Sequence, residues 1–171
     1  MVKENKMREI KLTIDGKEVQ LTEEQLKQLK IELDNQNPFK RVAIGDTYYR
    51  VTEYGEIDDF VEEGDYTDQH LFNNSNYFND DSVAQQVALH QLLYRKLLKF
   101  VYDNGCEDRQ LWGTYKKHHY IFYSYSRKMF GVKCDCDTKL QVVYFSSSDD
   151  ALRAIREVVK PFMEEHPDFV W

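Results

Sequence analysis

The sequence predicts an α+β fold: antiparallel sheet built from a tandem β-meander-plus-helix repeat, preceded by a small N-terminal ββα module. Three observations carry this expectation. Short runs of alternating apolar residues are separated by turn residues, as half-buried strands require. Two amphipathic helical stretches follow such runs. Each is introduced by Tyr-Phe and a polar cap, Tyr77-Phe78 before Ala84 and Tyr144-Phe145 before Ala151, at one constant offset. Aromatic residues reach 14%, with 12 Tyr and 10 Phe, which suits strands and binding surfaces because a Tyr offers a large apolar body with a polar tip.

Residues 10–21 read as a hairpin. Ile10, Leu12 and Ile14 alternate into Asp15-Gly16, a two-residue turn signal, and Val19 and Leu21 return. Thr22 and Gln25 are spaced as a capping box for a short helix with Leu26, Leu29, Ile31 and Leu33 as its apolar positions. Asn37-Pro38 discourages further helix. These residues make the N-terminal module, 1–36. The main α+β domain spans 39–171, with repeats at about 46–105 and 114–165.

In the first repeat, residues 47–61 read as two strands about Tyr54-Gly55, and an Asn- and Asp-rich loop follows. Ser82 with Gln85 then caps a long helix whose apolar face runs from Ala84 to Val101 and stops at Asn104-Gly105. In the second, residues 115–126, 128–137 and 140–145 read as three strands. A helix begins after Ser147 and carries Ala151, Ala154, Ile155, Val158 and Val159; Pro161 is expected to end or kink it.

The net charge of −7 is unevenly spread. From Val51 to Tyr94 there is no Lys or Arg, and there are ten acids. Residues 95–139 hold ten bases against five acids. Acidic runs are ordinarily solvated surface. Here they are interleaved with aromatic residues, and regular carboxylates can occupy a basic nucleic-acid groove as a phosphate backbone does. That reading makes Glu53, Glu56, Asp58, Asp59, Glu62, Glu63, Asp65 and Asp68 an acidic partner-binding surface, with Tyr54, Phe60 and Tyr66 as its aromatic anchors. The same carboxylates are hard-metal donors by type, but their spacing does not match the calcium loop of an EF-hand.

Cys106, Cys134 and Cys136 are odd in number and make no disulfide framework. With His118 and His119 they are a zinc-type donor set, yet zinc signatures pair two close-spaced motifs and only Cys134-Asp135-Cys136 is present. No metal and no cofactor are expected, and no nucleophile motif or phosphate loop points to an enzyme. Residues 116–128 mix bases and aromatics on one predicted strand, a pattern on which single-stranded nucleic acid can stack; core-and-rim alternation is the favoured reading, since a half-buried strand needs no other explanation. No apolar run reaches membrane-spanning length, and the first residues lack a signal peptide's apolar stretch, so the cytoplasm is the expected compartment.

The segments MREIKLTIDGKEVQLTEEQLKQL, NPFKRV, TYYRVTEYGEI, LFNNSNYF, LLYRKLLKFVYDNG and VYFSSSDDALRAI together resemble a group of small phage and prophage accessory proteins of Gram-positive bacteria. The resemblance covers most of the chain. It implies a protein made by a mobile element inside a bacterial cell, and it carries over no catalytic residue. Small acidic phage proteins, anti-CRISPR proteins among them, bind and disable host machinery. The expectation is therefore a phage-encoded, non-enzymatic inhibitor in the host bacterial cytoplasm. Its acidic surface would bind a host nucleic-acid-handling defence protein, a CRISPR–Cas effector or another nuclease, as a nucleic-acid mimic. The alternative is a single-stranded nucleic-acid-binding phage accessory protein.

Overall fold

A computed structural model of the chain describes residues 11–14, 17–20 and 37–171. The chain divides into two units, Met1–Asn37 and Pro38–Trp171. In the first, β1 (Lys11–Ile14) and β2 (Lys17–Gln20) pair antiparallel, with Leu12 opposite Val19. The turn at Asp15-Gly16 and the helix expected after Thr22 lie outside the described residues.

The second unit is α+β, with two small antiparallel sheets and several helices. β3 (Thr47–Val51) and β4 (Ile57–Val61) form a hairpin in which Thr47 faces Val61 and Val51 faces Ile57. Gly55 takes φ +85° in its turn, a conformation that strains any residue with a Cβ. The stretch expected as a loop contains a helix, α1 (Tyr66–Asn73). Its start is built by two acids: Asp65 accepts from the Asp68 amide, and the Asp68 carboxylate accepts from the Asp65 amide. Two donors that a helix start leaves orphaned are thereby satisfied. Tyr77 and Phe78 then return to the hairpin, where Phe78 exchanges both backbone hydrogen bonds with Tyr49 of β3, at 2.7 and 2.9 Å.

The long helix, α2 (Asp81–Asp103), is capped by Asp80 and not by the expected Ser82–Gln85 pair. Asp80 Oδ1 accepts from the amides of Ser82 and Val83, and a carboxylate there also meets the positive end of the helix dipole. At the other end Gly105 takes φ +58°, and the amides of Gly105 and Cys106 close onto the Tyr102 and Val101 carbonyls. Near its start the helix lays Ala84 and Ala88 against Val51 and Phe78 of the first sheet's layer. Further on, Leu93, Leu97, Phe100 and Val101 enter the main core with Ile121, Phe145, Ile155, Val159 and Phe162. One helix therefore supports both sheets.

The second sheet has the order β6-β5-β7, with β5 (His118–Ser124) central, β6 (Met129–Asp135) on one side and β7 (Tyr144–Phe145) on the other. β7 is far shorter than the 140–145 run suggested. α3 (Ser148–Ala154) follows, capped by Ser147, whose hydroxyl accepts from the Asp150 amide. Pro161 does not end this helix. A π turn (Ile155–Val159) leads into α4 (Lys160–Glu165), with the Lys160 amide reaching back to the Ile155 carbonyl. A proline ring collides with the carbonyl four residues before it; the wider turn moves that carbonyl aside. The terminal segment packs back, with Phe169 buried against Phe162 and Trp171 edge-on to Phe130. No helix among the described residues is long and apolar enough to cross a membrane.

Candidate functional site

The acids of residues 53–68 fall into three groups once placed. Glu53 and Glu56 stand exposed in the β3–β4 turn beside Tyr54, and Asp59 and Glu63 are exposed on β4 and just beyond it. Asp58 shares the Arg50 guanidinium at 3.3 Å, and Asp65 is exposed but serves as the cap of α1. Glu62 and Asp68 do not belong to the expected acidic surface: they are 1% and 3% exposed. Among the expected aromatic anchors, Tyr54 and Tyr66 are exposed, whereas Phe60 is half-buried, stacked on Tyr48 and covered by Arg50 at 4.5 Å. The alternation of β4 explains this split. Asp58, Phe60 and Glu62 share one side, which closes over Tyr48 and Tyr77.

Each buried carboxylate has a complete set of donors. Arg41 grips Glu62 with two nitrogens at 2.9 and 2.8 Å, the Tyr77 hydroxyl donates at 2.7 Å and the Gly64 amide at 2.9 Å. The Arg41 hydrogen bonds are the main reason the Glu62 carboxyl lies below its ordinary range, and they outweigh burial. Around Asp68, burial alone would raise the carboxyl. The Tyr48 hydroxyl at 2.7 Å and the amides of Glu63, Asp65 and Gly64 reverse that effect and hold it at about 2. Tyr48 and Tyr77 stack at 3.9 Å with planes 13° apart, which ties the two sets together. Burial, then the bond to a carboxylate, pushes both phenols up, that of Tyr77 to about 12.

The loop carrying Glu63 and Gly64 is thus fixed from below by charges that never reach solvent. Ile44, whose Cδ1 reaches Gly64, and Tyr66 are 79% and 83% exposed, Val61 is half-exposed, and Asp46, Glu63 and Asp65 are exposed as well. Sequence reasoning missed Arg41, Tyr48 and Tyr77 as the partners of the buried acids. The Asp65-x-x-Asp68 spacing was the available signal for the inner carboxylate; nothing in the sequence near Arg41 marks its role.

The cysteines are dispersed in environment: Cys106 is buried, Cys136 half-buried and Cys134 exposed. Burial pushes the Cys106 thiol up, away from nucleophilic use. Among the described residues no group of three or more His, Cys, Asp or Glu is arranged to hold a metal ion. Comparison of the chain with protein-family models, curated proteins and solved structures finds no match in any of the three.

Proposed function

We propose that this is a phage-encoded, non-enzymatic inhibitor acting in the host bacterial cytoplasm. It binds a nucleic-acid-handling defence protein, a CRISPR–Cas effector or another nuclease, through its acidic half. The observation that carries the reading is the division among the acids: Glu62 and Asp68 stay inside and fix the backbone, while Glu63 faces solvent beside it, and Asp59, Glu56 and Glu53 face solvent along β4 and in the turn at its other end. Carboxylates held on a rigid support meet a basic groove with little ordering cost. The exposed Tyr54, Tyr66 and Ile44 supply apolar anchors within the charged rim, the composition of an interaction hot spot.

The test is target cleavage by a purified effector nuclease titrated with the protein. The triple variant Glu53→Lys, Glu56→Lys, Glu63→Lys removes no described hydrogen bond of the buried network, so its stability should stay within about 0.5 kcal/mol of the parent. Inhibition should disappear, and in the parent it should weaken steeply with salt. Undiminished inhibition by a folded triple variant removes the acidic-surface reading.

We also read the two halves of the second unit as copies of one strand-and-helix pattern, and the N-terminal unit as a ββα module. Support for the first comes from a shared local order. Phe78 and Phe145 both pair with the first strand of a hairpin, both precede an N-cap, Asp80 and Ser147, and both precede a fully buried alanine, Ala84 and Ala151. An experimental structure in which the two segments fail to superpose as bridge, cap and helix removes this reading.

A further inference from the structure

The two faces of the β6-β5-β7 sheet have different surroundings. Ile121, Phe130, Val132 and Phe145 turn into the main core with Ala151, Ala154 and Ile155. His118, Tyr120, Phe122 and Ser124 turn the other way. Across from Tyr120 are Lys133 on one flank and Tyr144 on the other, and across from Phe122 is Gly131.

This outer face is covered with rings. Trp112 lies flat on His118, with 3.7 Å between centroids and 8° between planes, and meets Tyr144 edge-on at 5.1 Å. His118 is fully buried and donates from Nδ1 to Asp108 at 2.5 Å, so the indole rests on a fixed support. Phe122 lies down across its neighbour strand: a Cβ on Gly131 would fall 2.8 Å from its ring. The Lys133 ammonium sits 4.5 Å from the same ring's centroid. Trp112, Tyr120, Phe122 and Tyr144 are all partly buried, each leaving some of its ring surface to solvent. Exposed Lys116 and Lys117 lead into β5, and exposed Arg127 and Lys128 form the turn that follows it.

We propose that this face binds single-stranded nucleic acid, with bases stacking on Trp112, Tyr120 and Phe122 while the bordering cations pair with phosphates. Every base has a π face, so such a platform reads chemistry rather than sequence. The cations at both ends of the strand match a polyanion and not an apolar peptide. Tyr120 and Phe122 lie about 7 Å apart along the strand, roughly twice the 3.4 Å nucleotide rise. Lys133 is a flexible point charge able to leave the ring for a phosphate. The site concerns one sheet face and not the whole 116–128 run, since Ile121 and Tyr123 turn to the other side. It is independent of the acidic-half reading.

The experiment is fluorescence anisotropy of labelled oligo-dT and oligo-U at low salt with the full chain. Binding to at least one is expected, and the responding arm says whether DNA or RNA is preferred. Phe122→Leu and Trp112→Leu should each weaken it about tenfold or more, the scale of one lost base–ring stack. Arg156→Ala with Lys160→Ala, which removes two exposed cations from the π turn and α4, should leave affinity within about twofold. If circular dichroism shows that Trp112→Leu is unfolded, Phe122→Leu and the ring-displacing Gly131→Ala carry the test. The proposal is overturned by silence of both oligonucleotides at about 10 µM protein, by equal binding of duplex, or by equal loss in the Arg156/Lys160 variant. The triple Glu→Lys variant, which tests the acidic surface, leaves this face untouched, so the two readings fail separately.

Discussion

Replacing Asp68 by Asn removes one charge from the centre of the buried network and almost nothing else. The carboxyl is held at about 2, against an ordinary 3.8. At about 1.36 kcal/mol per pKa unit, that depression is worth roughly 2–2.5 kcal/mol of folding free energy. Because the folded-state value is the lower one, this stabilisation is complete above about pH 4 and is lost as the pH falls towards 2. An Asn can rotate its oxygen toward the Glu63, Gly64 and Asp65 amides and offer its NH2 to the Tyr48 oxygen, so geometry survives and the charge-assisted part is lost. The expected cost at neutral pH is therefore about 2–3 kcal/mol, or about 5–10 °C in melting temperature for a chain of this size. Circular-dichroism melts of both proteins at neutral pH and near pH 2 are the assay. Glu107, Asp135 and Asp150 also have depressed carboxyls, but they titrate in both proteins and cancel in the difference; Glu62, which the Asp68 charge raises, is depressed further in the variant and offsets a small part of the gap. The gap should be full at neutral pH and mostly closed at the acid end. Equal melting at neutral pH, or a gap that survives unchanged in acid, refutes the argument.

Phe78→Ala and Phe145→Ala, at side chains 1% and 0% exposed, should each cost about 3–5 kcal/mol in urea unfolding. Ala84→Leu and Ala151→Leu, both at fully buried helix positions, should overpack their contacts and cost about 1–3 kcal/mol by the same measurement. Arg41→Ala should cost about 3–5 kcal/mol, because it leaves the Glu62 charge buried without its main partner; adding Glu62→Gln should recover part of that loss, and no recovery would argue against an electrostatic origin.

The elements that announced themselves in the sequence are those whose signal is local. The β3–β4 hairpin follows from alternation about Tyr54-Gly55, the start of α3 from Ser147, and the end of α2 from Asn104-Gly105. What stayed hidden depends on contacts across the chain. Glu62 and Glu63 are neighbours of identical chemistry, and only the side of β4 on which each falls, with Arg41 twenty-one positions earlier, decides that one is buried and the other solvated. Helix α1 was masked because Asn and Asp read as loop until Asp65 and Asp68 are taken as reciprocal caps. Pro161 was expected to end or kink the last helix; the helical run passes through it, and α geometry gives way to the π turn just before it. The separation of basic and acidic stretches was visible throughout, but not that Tyr120 and Phe122 share a face with Trp112 and Tyr144.

The stacked phenols of Tyr48 and Tyr77 make the first half of the second unit self-reporting. Burial keeps both protonated in alkali beyond the ordinary phenol range, so their phenolate absorbance should arrive late and together, as the packing around them opens. Both tryptophans, Trp112 and Trp171, belong to the other half, and their emission follows the other sheet. Burial also pushes up the phenol of Tyr120 in the other half, so with Tyr120→Phe in place the two halves speak in different optical channels without any attached label. Coincident alkaline transitions would mean that α2 transmits unfolding from one sheet to the other, and separated ones that the helix can fray from Asp81 inward while its second half holds.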